Sequence, residues 1–203
     1  KTQLLKTNTE VRYNTKVTQE LIEEIKPDVA IVATGAVPII PPIPGINGNN
    51  VYLASEVEEK GADQLGDEIV ILGGGLVGCE TAIHLGKLGK KVTVVEMRSE
   101  AAADCNCFHK IAIGMELKKY VTVLTDTKAE NITDKGLEGL DKDGNKIFVP
   151  ADAVICAAGM RSDTTVADMV QKMEIEMYVI GDAVRPNKVT QAIFDGYYIA
   201  KYL

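Results

Sequence analysis

Tryptophan is missing from the 203-residue sequence, and aromatic residues together make up only 5% of it. The stacking platform used to hold single-stranded nucleic acid is therefore lacking. Basic residues are in the minority as well, 22 Lys and Arg against 29 Asp and Glu, for a net charge of −7. With a pI near 5.0, this balance speaks against nucleic acid or an anionic membrane as a partner. No stretch reaches the roughly 18 consecutive apolar residues of a membrane helix, and no charged-then-apolar leader opens the chain. The four cysteines are too few and too scattered for a disulfide scaffold. Cys79 and Cys156 lie in apolar runs, where a thiol behaves as a small core residue. Cys105 and Cys107 form a lone C-x-C beside His109, without the second ligand pair of a zinc site. A reducing cytoplasm and no metal site fit this usage. With two His in the chain and no Ser-His-Asp or Cys-His arrangement, hydrolysis and acyl transfer are disfavoured, and no residue is assigned as a catalytic acid or base.

What is present is ordinary for a globular protein: 46% hydrophobic residues, 25% charged residues and a mean hydropathy of +0.03. The chain opens at Lys1, without Met or a recognisable start to its first unit. Val11–Tyr13 suggests a short strand. Thr18 is a natural N-cap for a helix carrying Leu21, Ile22 and Ile25, stopped by Pro27. Val29–Ala33 is an unbroken apolar run and predicts a strand buried on both faces. The segment Pro38–Pro44 holds four prolines, excludes helix and central strand, and marks a connector between domains. From Glu68 the pattern turns regular: strand to Leu72, glycine turn, helix from Leu76 to Leu88, strand from Lys91 to Glu96. A second helix is predicted from Phe108 to Tyr120, with Phe108, Ile111 and Met115 on one face. Asp143-Gly144 signals a hairpin, Ala153–Ala158 a buried strand, and a helix starts near Thr190. Strands alternating with helices imply an α/β fold built on a parallel sheet.

The chemistry centres on Gly73-Gly74-Gly75-Leu76-Val77-Gly78, a G-x-G-x-x-G between a strand and a helix. Glu96 closes the next strand 23 positions after Gly73, as a dinucleotide site requires. Gly73 permits the sharp turn, Gly75 leaves room for a diphosphate, and Gly78 lets helix and strand pack closely. The amides of the first turn, at Leu76, Val77 and Gly78, lack internal partners and carry the positive end of the helix dipole. A carboxylate at Glu96 accepts from ribose hydroxyls and repels a 2′-phosphate, which favours NADH over NADPH. Arg98, reached through Met97, argues the other way, since a guanidinium suits that phosphate. Glu80 has two readings, a charge complementing the helix dipole or a group near the nicotinamide, and His84 is its candidate surface partner.

Four segments together carry a family resemblance: Val32-Ala33-Thr34-Gly35, Gly73–Gly78 with Cys79-Glu80, Ala158–Ser162, and Val179-Ile180-Gly181-Asp182-Ala183. The chain resembles the C-terminal FAD/NAD(P)-binding region of NADH:flavin oxidoreductases of the 2-enoate reductase and 2,4-dienoyl-CoA reductase type, over nearly its whole length. That resemblance implies a Rossmann-like nicotinamide domain, residues 55–172, inserted in a partial FAD domain made of residues 1–54 and 173–203. It places Thr34 and Gly35 where the chain leaves the FAD domain and Gly181 where it returns. Asp182 would accept from the FAD ribityl chain, and Gly159 would lie beside the nicotinamide cofactor. NAD(P)H and FAD are the implied cofactors, with hydride passing between them in the service of activated C=C reduction. The FMN barrel, the iron–sulfur cysteines and the glycine motif of the FAD domain have no counterpart in these residues, so the remainder of the parent flavoenzyme is the implied partner. On this view the chain alone holds FAD weakly and is inactive. A disulfide-reductase-like fragment is the alternative, though no C-x₄-C or C-x-x-C pair is present. A non-catalytic nucleotide-binding module is the other.

Overall fold

The computed structural model describes residues 3–203. Among them the first elements are α1 (Gln19–Ile25), β1 (Val29–Val32), β2 (Ala36–Pro38), β3 (Val51–Leu53), α2 (Val57–Lys60), β4 (Glu68–Leu72), α3 (Leu76–Lys87) and β5 (Lys91–Val95). There follow α4 (Cys107–Tyr120), β6 (Val121–Leu124), β7 (Lys128–Thr133), β8 (Gly136–Leu140) and β9 (Lys146–Pro150). The last are β10 (Ala153–Cys156), β11 (Met160–Ser162), α5 (Thr165–Gln171), β12 (Glu176–Val179) and α6 (Val189–Tyr202). None of the described helices is long and apolar enough to cross a membrane.

The chain forms two compact units, Pro38–Arg161 and the described residues before Pro38 together with Ser162–Leu203. Residues 38–54 thus fall in the larger unit, where Ile43, Ile46 and Val51 pack on its core. Residues 162–172 fall in the smaller, where Ala167 and Val170 pack with Ile22 and Val32. The resemblance placed the domain boundaries elsewhere, near residues 54 and 172, whereas the compact units divide at 37/38 and 161/162. The proline run is stiff, but stiffness does not prevent Ile43 from packing, partly buried, on that core, while Ile39 and Ile40 stay exposed.

In the larger unit a five-stranded parallel sheet has the order β3-β10-β4-β5-β6. Its central strands are apolar on both faces, and the period of two sorts them. Ile69 and Ile71 of β4 join Val94, Ile155 and the α3 residues Ala82 and Leu85. Val70 and Leu72 face the other way, to Val154, Ile132, Leu137 and Val149, the last three from the antiparallel sheet β7-β8-β9. Fully burying one valine, leucine or isoleucine of this core, such as Ile69, Ile71, Val94 or Ile155, stabilises the fold by about 1.5–3 kcal/mol. Asp143 and Gly144 make the β8–β9 turn, with Gly144 at φ 80°.

α4 corrects the sequence expectation. Its packed face is Ile113 and Leu117, beneath Cys79 and Ile83 of α3, whereas Phe108, Ile111 and Met115 are 82%, 64% and 60% exposed. Two apolar stripes share this helix, and the one carrying Ile113 and Leu117 is the one that meets α3. In the smaller unit β1 and β12 form a two-stranded parallel sheet. β1 was expected to be buried on both faces, yet Ile31 is 47% exposed. Only Val32 of this strand is fully covered, within the cluster of α1 and α5. Thr18 caps α1 as expected, accepting from the Leu21 amide at 3.3 Å. Val11–Tyr13 forms no strand.

Candidate functional site

Three glycines, Gly73–Gly75, form the turn between β4 and α3 and a fourth, Gly78, lies in the first turn of the helix; the space around each differs. A Cβ on Gly73, at φ 108°, would stand 2.5 Å from the Ala157 carbonyl oxygen. One on Gly78 would stand 2.0 Å from the Gly73 carbonyl oxygen. Gly74 is closed by the Glu96 side chain, 2.9 Å away. These three are glycine because the protein itself fills the space. Gly75 is different. Its backbone, φ −68° and ψ −177°, suits any residue, and its nearest neighbours would be the Asp104 carboxylate oxygens at 3.7 and 3.8 Å. No part of the fold requires glycine there.

Gly75 opens onto a cavity of about 860 Å³ at the C-terminal ends of β4, β5 and β10. Gly73, Glu96, Met97, Arg98 and Gly159 line it too. Ligands of open parallel sheets bind at this end, against the first turn of a helix. Leu76 and Val77 begin that turn, and Val77 is 56% exposed. Glu96 is buried despite its charge. One carboxylate oxygen accepts from the Gly74 amide at 2.6 Å, the other from the Arg98 amide at 2.7 Å and from Arg98 Nε at 3.4 Å. Backbone donors thus offset the cost of burying the acid, which in turn fixes the glycine turn. Met97 and Arg98 stay largely exposed.

Glu80 does not line this cavity. It lies one turn along α3, half exposed, and its expected partner His84 is replaced by His109 of α4, whose Nε2 is 3.6 Å away. Helix spacing made His84 the natural candidate, but packing of α4 on α3 brings His109 nearer. Cys79 behind the turn donates to the Gly74 carbonyl at 3.3 Å, and burial pushes its thiol pKa up to about 11. It is a neutral packing residue. Three further lining residues were not anticipated. Asp104 lines the cavity and accepts from the Leu76 amide at 2.9 Å. Thr127 and Lys128, at the start of β7, line it as well. No local pattern marks them, because they arrive from segments remote from the glycine turn, Asp104 from the loop before α4 and Thr127 and Lys128 from the start of β7.

The other candidates belong to the smaller unit. Thr34 donates through Oγ1 to the Asp163 carbonyl at 2.9 Å, and the Gly35 carbonyl accepts from the Asp163 amide at 3.1 Å. Gly35 has φ 78° and no atom within 4 Å of an added Cβ. Gly181, at φ 60°, donates to Asp195 at 3.1 Å and lines a cavity of about 430 Å³ with Arg185, Asn187, Gln191 and Asp195. Asp182 accepts from the Asn187 amide at 3.1 Å, closing the turn that borders this cavity.

Comparison with known proteins adds four findings. A family model described as pyridine nucleotide-disulphide oxidoreductase matches residues 1–190. The NADH oxidase of Thermoanaerobacter brockii is 30% identical over 203 residues, 98% of this chain and 31% of the relative. The cinnamate reductase of Clostridium sporogenes is 31% identical over 198 residues, 95% of this chain and 29% of the relative. A solved 2-naphthoyl-CoA reductase in complex with 2-naphthoyl-CoA superposes with a TM-score of 0.88 at 33% identity, over 97% of this chain and 30% of that one. The chain spans about a third of the length of the curated relatives it matches. These matches bear out the resemblance to enoate-type flavin reductases and the α/β nucleotide-binding fold.

Proposed function

The chain belongs to the pyridine nucleotide-disulphide oxidoreductase family, which binds NAD(P)H and FAD, and we propose that its larger unit, Pro38–Arg161, is the NADH-binding domain of a flavin-dependent reductase. The observation that carries this reading is Gly75: a glycine that neither backbone nor packing demands, at the first turn of a helix, beside a cavity large enough for a dinucleotide.

Each residue then has a task. Gly75 leaves the room a Cβ would fill, and the first-turn amides from Leu76 onward receive the diphosphate. Glu96 holds the glycine turn through Gly74 and Arg98, and its negative charge disfavours a 2′-phosphate. Arg98 opposes it only weakly, because its Nε lies 3.4 Å from the same carboxylate and is partly neutralised by it. Gly159 keeps the end of β10 open beside the bound cofactor. Held by these residues, NADH would supply a hydride for a flavin, while the FMN and iron–sulfur centre of the parent enzyme would belong to its other parts.

The smaller unit is a portion of the FAD domain. Thr34 and Gly35 follow β1, as Gly181 and Asp182 follow β12, so both adjacent parallel strands deliver their candidates beyond the C-terminal end of the sheet. The whole enzyme reduces an activated C=C bond, as the names of the cinnamate and 2-naphthoyl-CoA reductases suggest. This chain orients cofactors for that chemistry and supplies no acid–base group of its own.

Titration of the protein with NADH and NADPH, read by thermal shift and by nicotinamide fluorescence, tests the reading. A ligand at about a hundred times its Kd stabilises the folded state by about 2.7 kcal/mol. A response to NADH that exceeds the response to NADPH is expected. Silence toward both dinucleotides would refute the assignment.

A further inference from the structure

Asp104 stands where the proposed ligand's own charge should be. Its Oδ1 accepts from the Leu76 amide, the first donor of α3, at 2.9 Å. Both carboxylate oxygens lie within 4 Å of the point a Gly75 Cβ would occupy, and the side chain lines the cavity. A diphosphate bound at this turn needs the same amide and the same space. The two anions exclude each other, sterically and by like charge.

The segment that carries Asp104 is fastened to the glycine turn. The Ala102 amide donates to the Gly74 carbonyl at 2.7 Å, and the Cys105 amide donates to the Ala102 carbonyl at 3.1 Å. Ala102 is only 2% exposed and has φ 53°, a left-handed conformation uncommon for a residue other than glycine. Asn106 then caps α4 through the His109 amide at 2.9 Å. The carboxylate is therefore presented on a short, strained turn held at both ends, rather than on a loose loop.

We propose that Asp104 is a tethered anion that occupies the diphosphate seat until a dinucleotide displaces it. This rests on the NADH-binding reading above. Binding is then an exchange of one anion for another, and residues 101–105 are the part that yields. The arrangement selects for ligands bearing a diphosphate. A neutral ligand cannot replace the charge at the helix terminus, and a nucleoside monophosphate competes for fewer of the amides.

Three measurements on the full chain test this: affinity for NADH, affinity for inorganic pyrophosphate, and amide hydrogen exchange with and without saturating NADH. Asp104→Asn keeps an acceptor for the Leu76 amide and removes the charge. Both NADH and pyrophosphate are expected to bind it about two- to thirtyfold more tightly than wild type, the range for one charge at a helix N-terminus. In the wild type, NADH is expected to slow exchange at 75–77 and to speed it at 101–105. Equal or weaker affinity in Asp104→Asn overturns the proposal and makes Asp104 a positioning residue for the turn. So does unchanged or increased protection at 101–105, a result that needs no variant. If wild type and Asp104→Asn both ignore NADH and pyrophosphate, the dinucleotide site itself is refuted, and the tethered anion falls with it.

Discussion

Substituting Gly75 separates folding from binding more sharply than any other change in this chain. Its φ of −68° is open to every residue, and an added Cβ meets nothing nearer than 3.7 Å. Replacing an N-cap glycine costs a few tenths to about 1 kcal/mol, offset by about 0.4–1 kcal/mol from the lower entropy of the unfolded chain. Gly75→Ala and Gly75→Val should therefore melt within a few degrees of wild type in the absence of ligand. Binding should behave differently, because the valine methyls extend into the cradle. If Kd rises a hundredfold, the stabilisation at a fixed NADH concentration falls from about 2.7 to about 0.4 kcal/mol. At about 2–4 °C per kcal/mol for a chain of this size, some 5–9 °C of ligand-induced shift should vanish. Gly78→Ala is the counter-example. Its Cβ would lie 2.0 Å from the Gly73 carbonyl oxygen, so overpacking should cost at least about 1–3 kcal/mol and lower the melting point before any ligand is added. Differential scanning fluorimetry with and without NADH measures both. A Gly75→Val protein whose NADH shift equals that of wild type would refute the argument that this position is glycine for the ligand's sake.

Three further outcomes follow from the same geometry. Glu96→Gln keeps an acceptor for the Gly74 amide but removes the charge, so the preference for NADH over NADPH should narrow by about tenfold; an unchanged ratio of the two Kd values would shift the discrimination to Arg98. Burial raises the Cys79 thiol from 9.0 to about 11, so its contribution to stability is complete below pH 9 and lost as pH rises toward 11. Melting curves of wild type should therefore fall more steeply than those of Cys79→Ala across that alkaline window, and parallel curves would deny the shift. Hydrogen bonds from Lys119 and then Lys87 lower the Glu116 carboxyl from 4.5 to about 2, which tethers α4 to α3; Glu116→Gln should be less stable than wild type at neutral pH, with the difference shrinking as pH falls from 4.5 toward 2.

The parts of the fold legible in the sequence are those where local pattern and tertiary environment agree. β4, β5 and β10 are short β-branched runs bounded by turns, and a parallel sheet covered on both faces accepts them without selecting one side. The hairpin at Asp143-Gly144 is fixed by its own turn chemistry. Expectations failed where two faces competed or a partner was needed. α4 carries two apolar stripes, and its pattern cannot say that Ile113 and Leu117, rather than Phe108, Ile111 and Met115, will meet α3. Val11–Tyr13 has the composition of a strand, but a strand exists only where another offers hydrogen bonds. Residues 38–54 show the reverse case: irregular backbone places Ile43 and Ile46 against the core of the larger unit, where they are partly covered.

The candidate site divides along the same line. Gly73, Gly75, Gly78 and Glu96 announce themselves because their spacing is set by one strand-turn-helix-strand unit, and the structure brings three of them to one cavity, Gly78 serving the helix–strand contact behind it. The orientation of Glu96 was not readable. Its oxygens turn to the Gly74 and Arg98 amides, a choice forced by burial, since a carboxylate removed from water must find donors. Asp104 was invisible for a related reason. It lies 28 residues beyond the amide it accepts from, on a turn whose shape depends on the Ala102–Gly74 bond. Sequence spacing can therefore identify a cradle formed by contiguous backbone, but not the side chain that closes over it from another loop. The affinity of such a cradle is set by what already occupies it as much as by the cradle itself, so a glycine motif alone fixes the class of ligand and leaves its binding strength to residues that no motif contains.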